Sequence, residues 1–328
     1  MSVHRALAPA KVNLGLFVGG ARASDGKHEL VTVMQSISLA DELTLEAASS
    51  AARGDEVLCP GVPGPPEENL AAAALRAFRA STGWDAPPMR LTIAKRIPVA
   101  AGLGGGSADA AATLRLASHA SGVSDERLLR RLAGELGADV PAQICPGRWL
   151  AGGAGEDVAE LPAPSAPFGV LVLPLAAALS TAAVYAEADR LGPARAPRAL
   201  AELRAELSAA LRHGAPLPAA SELLHNDLQR AAVSLCPPIA EVLREARDAG
   251  AQAALVSGSG PTVLGLFAPG GGSAISGPVL AEHAAAGLRG RLPGAICAAP
   301  VDAAFGRAVT VEHSGRQHRA SQSPAESP

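Results

Sequence analysis

The run Gly102-Leu103-Gly104-Gly105-Gly106-Ser107-Ala108 constrains this chain more than any other stretch. A strand-like segment, Met89–Lys95, precedes it, and alanine-rich residues 110–118 follow as a helix expected to start near Ser107. Four glycines in five positions remove side chains, so consecutive backbone N–H groups can converge on an anion. The helix start adds the positive end of a dipole and several unpaired donors. Strand, glycine loop and helix together suit a di- or triphosphate, and Ser107 can add a hydroxyl. A flexible connection between strand and helix explains the loop nearly as well, so both readings stand on the loop alone. No Gly-Lys-Ser/Thr follows, which excludes a Walker A motif, and the spacing is not that of a dinucleotide-binding G-x-G-x-x-G.

Composition narrows which anion such a loop would meet. The chain has 328 residues, a net charge of −3, and only 2% aromatic residues. A near-neutral charge argues against a general polyanion binder, and too few rings are available to stack single-stranded bases, so no nucleic-acid partner is expected. Any anion must be held by local geometry. Only three of the 28 basic residues are lysines: Lys11, Lys27 and Lys95. Much of the Ala/Arg/Gly/Pro bias reads as mutational, which makes each retained lysine worth inspecting. Four widely spaced cysteines, without a CxxC pair, predict reduced, mostly buried thiols rather than zinc or disulfides. With no signal-peptide h-region and no apolar stretch of spanning length, a soluble cytoplasmic protein is expected, with no membrane partner. Oligomeric state is not legible.

The length suits one large or two medium domains. Strands are expected at Val12–Val18, Leu30–Ser38 and Leu43–Glu46, and a loop excursion over residues 47–66. Asn69 is placed to cap a helix through Arg79 with Leu70, Ala74, Leu75 and Phe78 on one face. A second helix, Ser124–Leu136, would use Ser124 as its cap and end at Gly137. After strands at Trp149–Ala151 and Phe168–Leu173, helices are expected at Thr181–Leu191, Arg198–Arg212, Asn226–Val233, Pro238–Ala249 and near Val279–Leu288. Strands at Ala253–Ser257, Val263–Phe267 and Ala295–Val301 complete the second half. Pro162–Pro167 is the best boundary, giving units 1–162 and 163–310, with a disordered tail at 311–328.

Three further clusters have ambiguous local readings. Pro9-Ala10-Lys11-Val12-Asn13-Leu14 puts a lysine at the start of a strand, where a surface lysine is the ordinary case. Gly137-Ala138-Asp139-Val140-Pro141 puts a carboxylate in a connection expected to lead to a strand, where a cap or turn role is ordinary. Ser257-Gly258-Ser259-Gly260-Pro261-Thr262 is either a hairpin turn or a ligand loop.

Taken in order along the chain, these clusters and the glycine loop closely resemble the GHMP kinase superfamily, named for galactokinase, homoserine kinase, mevalonate kinase and phosphomevalonate kinase. Asp25-Gly26-Lys27-His28-Glu29-Leu30, the triple-glycine loop and Ser180-Thr181-Ala182-Ala183-Val184-Tyr185 are similar to the branch whose small-molecule substrate carries a cytidine diphosphate head group. The resemblance covers about residues 5–305. It implies an α+β chain with a ribosomal protein S5 domain 2-like N-terminal domain, a ferredoxin-like C-terminal domain, and a site in the cleft between them.

The resemblance also implies roles. Asp139 would accept the substrate hydroxyl's proton and Lys11 would balance transition-state charge. Pro98, Val99, Ala100, Ala101, Gly102, Leu103, Gly104, Gly105, Gly106, Ser107 and Ala108 would wrap the phosphates of ATP. Mg²⁺ is expected to arrive with ATP, its protein ligands unassigned and Ser107 the one candidate. Asn13, His28, Thr181 and Tyr185, the sole tyrosine, would contact the substrate. Two departures stand out. Lys27 occupies a position where the family commonly has tyrosine, and is expected to face solvent rather than the substrate's diphosphate. Ala151–Glu156 lacks the hydroxyl of the usual Gly-Thr-Gly-x-Gly-Glu. Two rivals remain: a kinase for another small alcohol, homoserine or mevalonate-like, and a non-catalytic nucleotide-binding relative. The retained Lys11 and Asp139 pair speaks against the second.

Overall fold

The computed structural model of the chain describes residues 2–215, 222–268 and 275–311. Two long antiparallel strands, β1 (Val3–Ala21) and β2 (His28–Ala47), form the hairpin on which the first sheet is built. The two expected segments Leu30–Ser38 and Leu43–Glu46 are one strand. Buried Asp41 breaks the apolar pattern, but the ladder passes through it, pairing Asp41 with Ala8. Register shifts between Pro9 and Lys11, and again between Asn13 and Gly15, bracket the Lys11–Asn13 segment. Bulges of this kind re-aim side chains near functional sites.

The residues 47–66 excursion contains a short strand the sequence did not signal, β3 (Glu56–Leu58), parallel to β4 (Met89–Ala94). A further missed strand, β6 (Asp157–Leu161), pairs with β5 (Arg148–Gly152), which joins β2 at Thr32–Gln35. Exposed Asp157 and Glu160 hide β6 from a hydrophobic pattern, because backbone pairing holds this edge strand.

Four helices cover this sheet: α1 (Leu70–Thr82), α2 (Gly105–Ser121), α3 (Glu126–Leu136) and α4 (Val140–Ile144). Asn69 caps α1 as expected, its side chain accepting from the Ala71 N–H at 2.9 Å. Asp125, rather than Ser124, caps α3, because its carboxylate reaches the Leu128 N–H at 3.0 Å. Ala108, Ala112 and Leu116 of α2 pack on Ala6, Ala8, Leu43 and Leu45 of the hairpin. The alanines on both sides let the helix seat closely on the sheet.

The second half forms an antiparallel sheet of order β10-β7-β9-β8, from β7 (Gly169–Leu173), β8 (Ala253–Val256), β9 (Val263–Phe267) and β10 (Ile296–Ala298). Its helices are α5 (Thr181–Leu191), α6 (Pro197–Leu211), α7 (Gln229–Leu235), α8 (Pro238–Asp248) and α9 (Gly277–Leu288). Leu171, Leu173, Val263 and Phe267 pack with Ile239, Leu243, Ala281 and Leu288 of α8 and α9. The alternate residues Val170, Val172, Leu264 and Leu266 join Leu14, Phe17, Val31 and Val33 of the first sheet. Each fully buried Val, Leu or Phe contributes about 1.5–3 kcal/mol, so this shared core fixes the cleft between the sheets. The chain then returns to the first sheet: β11 (Val309–Val311) pairs with Val3–Arg5. Val311 is thus a strand residue, and the rest of the expected tail, 312–328, lies outside the described residues. Among the described residues no helix is long and apolar enough to cross a membrane. The four cysteines are free, and only Cys236 is fully buried; Cys59, Cys145 and Cys297 are half-buried.

Candidate active site

The glycine loop does more than connect. The helix begins at Gly105, two residues earlier than expected, with Gly104 at φ 67° in the left-handed region just before it. The first hydrogen bond into the helix is Ala108 N–H to Gly104 O at 2.9 Å. The N–H groups of Gly105, Gly106 and Ser107 therefore sit in the first turn, where helix geometry supplies no acceptor. Pro98–Ser107 line a cavity of about 530 Å³ together with Asn69, Leu70 and Lys95. Ala108 instead belongs to the core beneath α2.

Close approach explains two of the glycines. A Cβ on Gly102 would lie 2.7 Å from Ser257 O and 2.8 Å from Gly260 O. A Cβ on Gly104 would lie 2.9 Å from Lys11 Cγ, because the lysine stem crosses directly over it. The Lys11 N–H donates to Leu103 O at 2.9 Å, which ties the loop to the bulged strand. Ser257 Oγ donates to Gly102 O at 3.3 Å from the other side.

Lys11 is buried, and its ammonium donates to Asn13 Oδ1 at 2.9 Å and lies 3.2 Å from Asp139 Oδ2. Asn13 donates to Thr32 Oγ1 at 2.8 Å, and Thr32 to Gly15 O at 2.7 Å, so the lysine's anchor is itself held. Asp139 occupies the cap position of helix α4, not a helix-to-strand link, and its side chain caps nothing. That leaves the carboxylate facing a second cavity, of about 840 Å³. Lys11, Asn13, His28, Asp139, Thr181 and Tyr185 all line it. Gly102, Gly104 and Ser107 border both cavities, which therefore meet beside the Lys11–Asp139 pair.

On the wall of the second cavity, the rings of His28 and Tyr185 are 4.9 Å apart and tilted by 35°. Burial, and then the charge of Asp139, push the Tyr185 phenol up to about 12. Thr181, in the first turn of α5, shares a hydrogen bond of 3.1 Å with Ser259. Lys27 is solvent-exposed yet stands at the cavity wall. Ala154 and Gly155 reach the same wall, and Glu156 is held by Arg22 and by the Ala154 N–H.

Sequence reasoning missed two supporting residues. Asp189 on α5 accepts from His28 Nε2 at 3.0 Å. Asn226, expected to start a helix, lies before α7 and is buried; its amide donates to Val256 O and Gly258 O, both at 2.8 Å, and so shapes the Ser257–Thr262 loop. Neither carries a motif of its own. A polar residue near the start or end of a helix was the only signal.

Comparison with known proteins shows the family. Residues 69–147 match the GHMP kinases N terminal domain and residues 199–288 the GHMP kinases C terminal domain. The chain is 42% identical over 296 residues to a 4-diphosphocytidyl-2-C-methyl-D-erythritol kinase of Anaeromyxobacter dehalogenans, covering 88% of this chain and 86% of that protein. It is 46% identical over 263 residues to one from Streptomyces coelicolor, covering 77% and 84%. A crystal structure of a 4-(cytidine 5'-diphospho)-2C-methyl-D-erythritol kinase superposes with a TM-score of 0.66 at 33% identity, over 93% of this chain and 97% of that one. With the glycine loop, the Lys11–Asp139 pair and both sheets in place, the chain belongs to the GHMP kinases, in the family of the 4-diphosphocytidyl-2-C-methyl-D-erythritol kinases.

Proposed function

We propose that this chain transfers the γ-phosphoryl group of ATP to the 2-hydroxyl of 4-diphosphocytidyl-2-C-methyl-D-erythritol, in the making of isoprenoid precursors. The observation that carries the reading is the meeting of the two cavities beside Lys11 and Asp139. A triphosphate cradled on the loop and an alcohol in the second cavity would have their reacting ends at that junction. Phosphoryl transfer needs alignment and charge stabilisation more than covalent help. The alcohol oxygen bonds to the γ-phosphorus, the bond from phosphorus to the ADP oxygen breaks, and Asp139 takes the alcohol's proton. Lys11, held by Asn13 and pressed over Gly104, is pre-aimed at the oxygens where negative charge builds. The free N–H groups of Gly105, Gly106 and Ser107 receive the phosphates.

The cytidine head group is assigned to His28 and Tyr185, which offer adjoining ring faces and a polar edge. Asn13 and Thr181 are assigned to polar contacts with the substrate, supported by their position on the same wall. Among the described residues no group of three His, Cys, Asp or Glu is placed to hold a metal. The Ser107 hydroxyl is the one protein group assigned to a Mg²⁺, which would otherwise be held by phosphate and water. When bound, the ion would neutralise phosphate charge. Residues 1–162 and 163–310 are read as two units, supported by the division of β1–β6 and β7–β10 between the two sheets, although β11 at the end of the second unit joins the first sheet. With ATP as co-substrate and free thiols, the enzyme is assigned to the cytoplasm.

Coupled ADP-release assays with three alcohols test this reading. Turnover is expected with the cytidine-diphosphate-linked alcohol and not with homoserine or mevalonate. Turnover only with an alcohol lacking the cytidine group would overturn the substrate assignment.

A further inference from the structure

Both ends of the glycine loop are tied to one buried cluster that touches neither Lys11 nor Asp139. Asp41 on β2 is fully buried, and its Oδ1 accepts from the backbone N–H groups of Arg96 at 2.6 Å and Ile97 at 2.8 Å. These are the last residues before the loop. Asp41 Oδ2 accepts from the Lys95 ammonium, which also donates to Asp109 Oδ2 at 2.7 Å. Asp109 lies in the opening turns of α2, just after the loop, and is only 2% exposed. Its other oxygen has no partner among the described residues, so the bond from Lys95 is what holds the carboxylate in place. A Cβ on Gly105 would come within 3.3 Å of the Lys95 ammonium, so the bridge lies against the first residue of the helix.

We propose that Asp41, Lys95 and Asp109 are positioning residues for the nucleotide, a buried clamp that fixes the entry and exit of Pro98–Gly104 so that its N–H groups are pre-aimed at a triphosphate. The proposal rests on reading that loop as the ATP cradle. Two buried carboxylates share one ammonium beside the first cavity, an arrangement whose cost is hard to explain by stability alone, since buried ion pairs are often replaceable by apolar packing. Burial pushes the Asp109 carboxyl up to about 7, against the pull of Lys95 and with a further push from Asp41. The clamp therefore holds a reluctant carboxylate in position, and the position is what the loop uses.

The test compares Asp109→Leu, which cuts the bridge, with Asp109→Asn, which keeps an acceptor for Lys95. In Asp109→Leu, KM for ATP is expected to rise on the order of tenfold and KM for the alcohol to stay near wild type. Amide hydrogen exchange across 98–107 should accelerate by a similar factor without ligand. Asp109→Asn should restore both readouts to near wild-type values. Asp41→Ala, at a residue that does not line the first cavity, gives the same split if leucine disturbs the seating of α2. A folded Asp109→Leu with unchanged loop exchange and unchanged KM for ATP overturns the clamp, as does an equal rise in both KM values. Binding of a non-hydrolysable ATP analogue to wild type is measured alongside. Its absence would remove the ATP reading itself, a failure distinct from that of the clamp.

Discussion

Lys11 and Asp139 face each other at 3.2 Å with unequal access to solvent: the lysine side chain is 9% exposed and the aspartate 39%. The ammonium is fixed from below by Asn13, and the carboxylate is open to the cavity where an alcohol would enter. A base must reach its substrate, whereas a charge that stabilises developing anions gains from being held rigid and dry.

The asymmetry predicts unequal effects of substitution. Lys11→Met should lower kcat by about 10²–10³-fold, the usual loss when a preorganised electrostatic partner is removed. Asp139, already half in solvent, should remain hydrated, so the melting temperature should change little. Asn13→Ala should cost less, on the order of tenfold in kcat, because the lysine remains but loses its anchor. Steady-state kinetics beside thermal melts check all three readouts. A large drop in melting temperature for Lys11→Met would mean that the lysine is structural.

Ala100 holds φ 56°, the left-handed region, inside the phosphate loop. A residue with a Cβ costs about 1–2 kcal/mol there, and glycine recovers part of that at the expense of extra freedom in the unfolded chain. Ala100→Gly should raise stability by about 0.5–1 kcal/mol, read as a shift in the denaturant midpoint. A lower midpoint would contradict the strained-loop reading.

Tyr185 is the sole tyrosine, so its ionisation can be followed without interference. Its folded pKa is raised to about 12, above the ordinary value near 10, through burial and then the charge of Asp139. The contribution to stability is therefore complete below about pH 10 and is lost as pH rises toward 12. Near-ultraviolet titration should show phenolate appearing later in native protein than in denaturant, with Asp139→Asn moving the native midpoint down. Coincident native and denatured titrations would rule out the buried environment.

Asp189 accepts from His28 Nε2 on a half-exposed surface, so the pair contributes little to stability, about 0–1 kcal/mol. Its expected value is orientational, since fixing one ring nitrogen sets what the other presents to a base. Asp189→Ala should raise KM for the cytidine substrate several-fold to about tenfold, leaving KM for ATP and the melting temperature near wild type. Equal changes in both KM values would place Asp189 outside the recognition of the head group.

What was legible in the sequence was local. The glycine loop, Asn69 as a cap, and the strand containing Val263–Phe267 announce themselves through consecutive residues. Lys11 and Asp139 became legible only as members of an ordered set, since each alone reads as an ordinary surface or turn residue. The contacts that hold the site were not legible. Lys95 meets Asp41 and Asp109, Asn226 meets the loop at Gly258, and Asp189 meets His28. Each joins residues far apart in the chain, and nothing in the local pattern of either partner names the other. The short strands β3 and β6 escaped for a related reason, because backbone pairing with a distant strand, not side-chain periodicity, makes them strands.

The most direct measurement follows label from γ-labelled ATP into the cytidine-diphosphate-linked alcohol, with wild type and Asp139→Asn side by side. Wild type should carry label to the alcohol at one equivalent per ADP released. Asp139→Asn should bind the ATP analogue normally and transfer label about 10²–10⁴-fold more slowly. Transfer by Asp139→Asn at the wild-type rate would contradict the assignment of the base, and ADP release from wild type without labelled alcohol would contradict the kinase reading itself.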